Sequence, residues 1–194
     1  LGADRAFLTK LGIESKSLEG YLFPETYRLD RSMSTQEIIG LMVGQFWRHV
    51  TPPMTKRAKA LGMTVNEFVT LASIIEKETG RKEEMPLISA VFHNRLKQRM
   101  PLQSDPTVIY GLPDFDGNLR KQDLLKKTPY NTYLIAGLPP TPIASPGMDA
   151  LQAALNPADV NYLYFVSKND GTHLFSYRLR THSEAVQKYQ VRKR

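Results

Sequence analysis

Apolar positions recur at helical spacing in several stretches of this chain, and each stretch carries its own start signal. In SMSTQEIIGLMVGQFWRHV the hydroxyl of Ser34 is placed to cap the first turn while Glu37 reaches back, which is the reciprocal capping box of a helix N-terminus. Thr64 and Glu67 repeat the device in TVNEFVTLASIIEKETG. There Val65, Phe68, Ala72 and Ile75 form one stripe and Gly80 is a natural stop, so a helix is predicted over roughly residues 65 to 79. Pro86 opens a further helix, PLISAVFHNRLKQRM, with Leu87, Val91 and Leu96 on one side. In PLQSDPTVIYGL, Asp105 reads as the N-cap and Pro106 as the first residue of a short helix, and DFDGN beyond it is a turn.

The second half of the chain changes character. Thr128 to Met148 holds five prolines and two glycines among aromatic and apolar residues, too apolar for a linker, and is expected to be an ordered loop packed on the domain. In YLYFVSKNDGTHLFSYR two β-rich runs flank Asn169, Asp170 and Gly171, a hairpin signal, and a terminal helix capped near Thr181 or Ser183 follows. Helices in the middle and strands at the end, without βαβα alternation, predict an α+β fold: a helical core with a C-terminal hairpin and a terminal helix. No internal repeat is present.

Composition narrows the partners. The 194 residues, 41% hydrophobic and 23% charged, are those of a globular protein of one or two domains. The chain has no run of about 18 apolar residues, and LGADRAFLTK has no signal-peptide core. Beginning on Leu, it is expected to be a fragment or processed form whose anchor lay upstream. Cysteine is absent, which removes disulfides and thiolate chemistry. A net charge of +7 suits a polyanionic partner such as nucleic acid, an anionic membrane or an acidic wall polymer. The basic residues are nevertheless scattered, apart from the tail VRKR and the pair Lys126 and Lys127, so a merely basic surface explains them equally well.

The stretch LASIIEKETG poses the chemical question, because Glu76 and Glu78 end an apolar helical run. Successive helical residues turn by about 100°, so the two carboxylates project about 160° apart and do not form a dyad. Each falls on a margin of the stripe, and Glu76 is slightly preferred because it lies deeper in the helix. A carboxyl held against apolar walls has its pKa raised, as a general acid requires. The plain alternative is an amphipathic helix surfacing as it ends. QSDPTVIYG adds Gln103, Ser104, Asp105 and Tyr110, with Asp105 equally readable as a simple cap, and NTY adds Asn131 and Tyr133, able to bind a sugar or to fasten the proline-rich loop. His49, His93, His173 and His182 have no metal-ligand spacing, Ser73 lies in no nucleophile elbow, and no phosphate-cradling Gly-rich loop exists. Tyr162, Tyr164, Phe165 and Phe175 are explained by packing of a hairpin more simply than by base stacking.

LASIIEKETG, VFHNRL, LQSDPTVIYGL, YNTYLIAGLPPTPIASPG and YLYFVS, in this order, together with EGYLFPETY at residues 19 to 27, resemble the YceG-like family of endolytic murein transglycosylases over nearly the whole chain. The resemblance implies cleavage of the β-1,4 bond between N-acetylmuramic acid and N-acetylglucosamine within peptidoglycan, leaving 1,6-anhydro-muramyl ends. It implies Glu76 as the acid and then the base, Glu78 as a neighbour, and Gln103, Asp105, Tyr110, Asn131 and Tyr133 on the substrate side. It further implies no cofactor and no metal, residues 1–50 as a leading segment and remnant of an upstream subdomain, and residues 51–194 as the catalytic domain. The expected location is the outer face of the cytoplasmic membrane, near peptidoglycan synthases. The family's membrane anchor and LysM-type module are not legible in this sequence. Three rivals are a non-catalytic glycan-binding module, a nucleic-acid binder and a pyridoxal-phosphate aminodeoxychorismate lyase, for which the candidate Lys77 projects outward.

Overall fold

A computed structural model describes residues 4–191; the last three residues of the basic tail lie outside them. Among the described residues eight α-helices, α1 Arg5–Lys10, α2 Thr35–His49, α3 Pro52–Ala60, α4 Val65–Glu78, α5 Met85–Lys97, α6 Asp105–Tyr110, α7 Met148–Leu155 and α8 Leu179–Val186, accompany a two-stranded antiparallel sheet, β1 Tyr164–Ser167 with β2 His173–Ser176. The fold is α+β, as the sequence predicts. Among the described residues no single helix is long and apolar enough to cross a membrane.

Helix α4 is the axis. Both predicted capping boxes form, with Glu37 and Glu67 accepting from the N-cap amides of Ser34 and Thr64 at 2.8 Å. The stripe read from the sequence understates how deeply α4 sits, because eight consecutive residues from Phe68 to Ile75 are buried. A helix buried all round its middle is a core helix, and α4 packs most extensively on α7, with α3, α5 and α6 also against it. Its one polar interior contact is useful: Ser73 Oγ donates to the Thr70 carbonyl and accepts from the amide of Ile143, pinning the proline-rich loop to the core.

That loop is ordered by such contacts. Asn131, fully buried, donates to the carbonyls of Leu124 and Lys126, and Asn66 donates to the carbonyl of Pro140. The core is continuous from the leading segment into the rest, with Leu8, Ile13, Tyr21 and Phe46 in the same cluster as Phe68, Ile88 and Leu151.

Local starts differ from expectation at two places. Ser104 rather than Asp105 is the N-cap of α6, with extended backbone, and no side-chain cap bond forms because the Ser104 hydroxyl donates to Glu78 and the Asp105 carboxylate accepts from Tyr133. Helix α8 begins at Leu179, ahead of Thr181 and Ser183, with Arg178 at the cap and no side-chain cap bond. It leaves β2 directly, and stacking of His182 on Tyr164 sets its position. The hairpin turn carries Asn169 and Gly171 at positive φ.

Gly20 shows how tightly the leading segment is seated. Its φ is +90°, and a Cβ there would lie 2.5 Å from the ring of Pro142 and 2.9 Å from Val69 Cγ1. Gly20→Ala combines an unfavourable backbone with a backbone-proximal clash and is expected to cost more than about 1 kcal/mol. Thermal unfolding should show a melting temperature lower by several degrees, and an unchanged value would contradict this packing.

Candidate active site

The end of α4 delivers Glu78 into a cleft of about 650 Å³ walled by α5, the segment leading into α6, the hairpin and α8. Ser104 Oγ donates to Glu78 Oε1 at 2.5 Å. Ser104 is itself fixed, its amide donating to Thr132 Oγ1 and its carbonyl accepting from Thr107 Oγ1. The preceding Gln103 adopts φ +53°, a conformation that a non-glycine residue holds only when its surroundings impose it. The imposition is visible: its amide donates to the Thr132 carbonyl, and its Oε1 accepts from Arg95.

Arg95 is the clamp of this wall. Buried, it spreads its guanidinium over the carbonyls of Leu163, Pro101 and Leu102 and over Gln103, tying the start of the hairpin to the approach to α6. Such a fork is what arginine offers and lysine does not. Tyr133 completes the cleft by donating to Asp105 Oδ1 at 2.6 Å. Burial first, and then the Asp105 carboxylate, push the tyrosine pKa up, so it remains a hydroxyl donor. On the hairpin side, His173 Nδ1 pairs with Glu84 at 2.7 Å. His182 also lines the cleft, its pKa lowered by burial and by Arg95.

The pKa of Glu78 is raised to about 7. Burial is the largest cause; the Ser104 hydrogen bond and Arg95 pull it down, while Asp105 pushes it up. A carboxyl poised there is protonated in a useful fraction of molecules at neutral pH and is equally able to act as a carboxylate, the property of a group that gives a proton and then takes one.

The sequence reading put the acid on Glu76, and the geometry disfavours that choice. Glu76 Oε2 accepts from the amide of Gly147 at 3.0 Å, next to the Lys82–Asp149 ion pair, and the residue does not line the large cleft. Depth along the helix, the argument used to rank the two, does not decide burial at a helix end; what packs there does, and Ser104, Arg95 and the hairpin pack on the Glu78 side.

Of the substrate-side expectations, Gln103, Asp105 and Tyr133 line the cleft with Glu78. Asn131 does not. Its amide is consumed by two carbonyls and its Oδ1 accepts from the Tyr133 amide, so it positions Tyr133 from beneath. Tyr110 lies at the far end of α6, against Tyr130, and is not in the cleft lining. Arg95, His173 and His182 were not singled out as site residues, because their role depends on contacts between segments far apart in sequence. Among the described residues no group of three or more metal-ligating side chains occurs, and Lys77 is exposed.

Comparison with known proteins agrees with this architecture. The YceG-like family matches residues 3–188. An endolytic murein transglycosylase of Bacillus subtilis (strain 168) is 42% identical over 173 residues, covering 89% of this chain and 48% of the relative. One from Streptococcus pneumoniae serotype 2 is 37% identical over 155 residues, covering 77% of this chain and 28% of the relative. The chain thus spans at most about half the length of these curated relatives. A crystal structure of a yceG-like protein from Listeria monocytogenes superposes with a TM-score of 0.84 at 35% identity, over 94% of this chain and 64% of that one.

The electrostatics of Glu78 yield a titration prediction. Its carboxyl should titrate by carbon-13 NMR with a midpoint near 7, higher in Ser104→Ala and lower in Asp105→Asn. Because its pKa is raised on folding, the stabilisation it contributes is complete below the unfolded value near 4.5 and is lost as pH rises through about 7. Glu78→Gln should therefore flatten that part of the stability profile and raise the melting temperature at neutral pH. A wild-type midpoint in the ordinary carboxylate range would contradict the enclosed site.

Proposed function

The chain belongs to the YceG-like family, and from that premise we propose that it is the glycan-cleaving part of an endolytic murein transglycosylase, with Glu78 as its single acid and base. The observation that carries the reading is the enclosed Glu78 carboxyl, raised to about 7, in a cleft that also presents Gln103, Asp105 and Tyr133. The substrate is a peptidoglycan strand, and the bond is the β-1,4 link between N-acetylmuramic acid and N-acetylglucosamine.

In this reaction Glu78 gives its proton to the glycosidic oxygen as the bond from the muramyl anomeric carbon breaks. The carboxylate so formed then removes the proton of the muramyl 6-hydroxyl, whose oxygen bonds to that carbon. No water is consumed, the product carries a 1,6-anhydro ring, and Glu78 ends protonated. A hydrolase that places a carboxyl on each side of the bond asks for more. Asp105 favours that second reading because it shares the cleft, but its carboxylate already accepts the Tyr133 hydroxyl, so it is better suited to holding Tyr133 and keeping Glu78 protonated.

Residues 51–194 are proposed as the catalytic unit and residues 1–50 as a leading segment seated on it. The proposed setting is the outer face of the cytoplasmic membrane, with synthases as partners.

Mass spectrometry of purified strands after incubation tests the reaction. Wild-type protein should release anhydro-ended fragments, and Glu78→Gln should lose at least about 100-fold in rate, within the range removed with a general acid. Glu76→Gln, which keeps an acceptor for Gly147, should lose less than about tenfold, since it forfeits no proton transfer. Reducing ends would establish a hydrolase. Loss of activity in Glu76→Gln with retention in Glu78→Gln would return the acid to Glu76.

A further inference from the structure

Behind the Ser104 hydroxyl that meets Glu78, the hydrogen bonds close into a ring. The Ser104 amide donates to Thr132 Oγ1 at 3.0 Å, Thr132 Oγ1 stands 2.7 Å from Thr107 Oγ1, and Thr107 Oγ1 lies 2.7 Å from the Ser104 carbonyl oxygen. The proton order around the ring has one solution. A carbonyl only accepts, so the single hydroxyl hydrogen of Thr107 goes to Ser104, and Thr132 must donate to Thr107. The Thr132 oxygen is then left to accept from the Ser104 amide. Each threonine hydroxyl gives one hydrogen bond within the ring and takes one. The ring uses only the backbone of Ser104, whose own hydroxyl remains for Glu78 Oε1.

We propose that Thr132 and Thr107 are positioning residues for proton transfer at Glu78, acting through this ring and the Ser104 hydroxyl that it aims. The proposal deepens the glycan-cleaving reading and rests on it. Thr132 grips two consecutive amides, its carbonyl accepting from Gln103 and its hydroxyl from Ser104, so one loop residue sets the backbone from which that hydroxyl projects. Both threonines are fully buried and Ser104 is 2% exposed, so bulk water does not replace a missing member of the ring. Hydrogen bonds running in one sense around a closed path polarise one another, which stiffens the support. The bond so aimed favours the charged form of Glu78, because a carboxylate is an acceptor only. That is the form which takes the proton of the muramyl 6-hydroxyl. The charged and titratable groups facing Glu78 across the cleft are Arg95 from α5, Asp105 from α6, Tyr133 from the loop, His173 from β2 and His182 from α8. On its other flank Lys82 and Asp149 pair with each other. None of these belongs to the ring, so all stay in place when a threonine is changed.

Carbon-13 NMR of the Glu78 carboxyl in the chain without substrate reads the ring directly. Thr132→Val keeps the shape of the side chain and leaves the Ser104 amide without its acceptor. It should raise the titration midpoint by at least about half a pH unit, part of the rise expected for Ser104→Ala. Thr132→Ser, which restores the hydroxyl, should return the midpoint to the wild-type value. Thr107→Val opens the ring at its opposite corner and should shift the midpoint the same way, which keeps the test decisive should Thr132→Val not fold. In the Ser104→Ala background Thr132→Val should add nothing, because both substitutions act on one bond. A midpoint indifferent to the threonines, or a Thr132→Val shift of equal size with and without the Ser104 hydroxyl, overturns the proposal. With strands as substrate, the alkaline limb of the cleavage rate should move to higher pH with the midpoint, since Glu78 must carry a proton to act as the acid. Cleavage that depends on Glu78 in a chain whose midpoint ignores Thr132→Val and Thr107→Val refutes the ring alone. Midpoints that move as described in a chain that releases no fragments refute the reaction alone.

Discussion

An ionisable carboxyl at the end of a helix buried for eight consecutive residues is costly when charged, and the site is organised by how that cost is partly met. The apolar body of α4 fixes where Glu78 must emerge. Ser104 offers one hydrogen bond to its carboxyl and Arg95 a nearby positive charge, while Asp105 opposes ionisation from the next helix. Neither influence cancels burial, so the group rests near neutrality rather than fully charged or locked as the acid. Were Ser104 and Arg95 stronger partners, the carboxyl would be a salt-bridged anion; were they absent, it would be a permanent acid.

Holding that balance requires three segments distant in sequence to meet with fixed geometry. Arg95 binds four acceptors drawn from the approach to α6 and the start of the hairpin, so the two walls of the cleft share one clamp. Thr132 connects the proline-rich loop to Gln103 and Ser104, and Asn131 beneath it orients Tyr133. The loop therefore serves as scaffold more than as contact surface. Glu84 and His173 fasten the hairpin to the turn after α4, which keeps the cleft from opening on that side.

Much of this was legible in the chain. Ser34 with Glu37, and Thr64 with Glu67, announce two helices because capping is a local contract between residues three apart. The hairpin around Asn169 and Gly171 is likewise local. Helices α1, α3 and α7 escaped because they are short, of six, nine and eight residues. At the site, the motif QSDPT marked one wall of the Glu78 cleft, but which of Glu76 and Glu78 faces that cleft was not legible. Helical projection shows the direction of each carboxyl and not what fills the space there; that space is filled from residues 95, 104 and 165, between about 20 and 90 positions later. The place of Asn131 was hidden for the same reason, since only the fold shows that its side chain is engaged by the carbonyls of Leu124 and Lys126 and by the Tyr133 amide.

The central claim is that the scissile bond is broken at Glu78. The most direct measurement is a crystal structure of the Glu78→Gln variant bound to an N-acetylglucosamine–N-acetylmuramic acid oligomer. The bridging oxygen should lie within about 2.6–3.2 Å of the side chain at position 78, the reach of a proton donor. A strand whose glycosidic oxygen sits over Glu76 instead, with position 78 out of reach, would contradict the account.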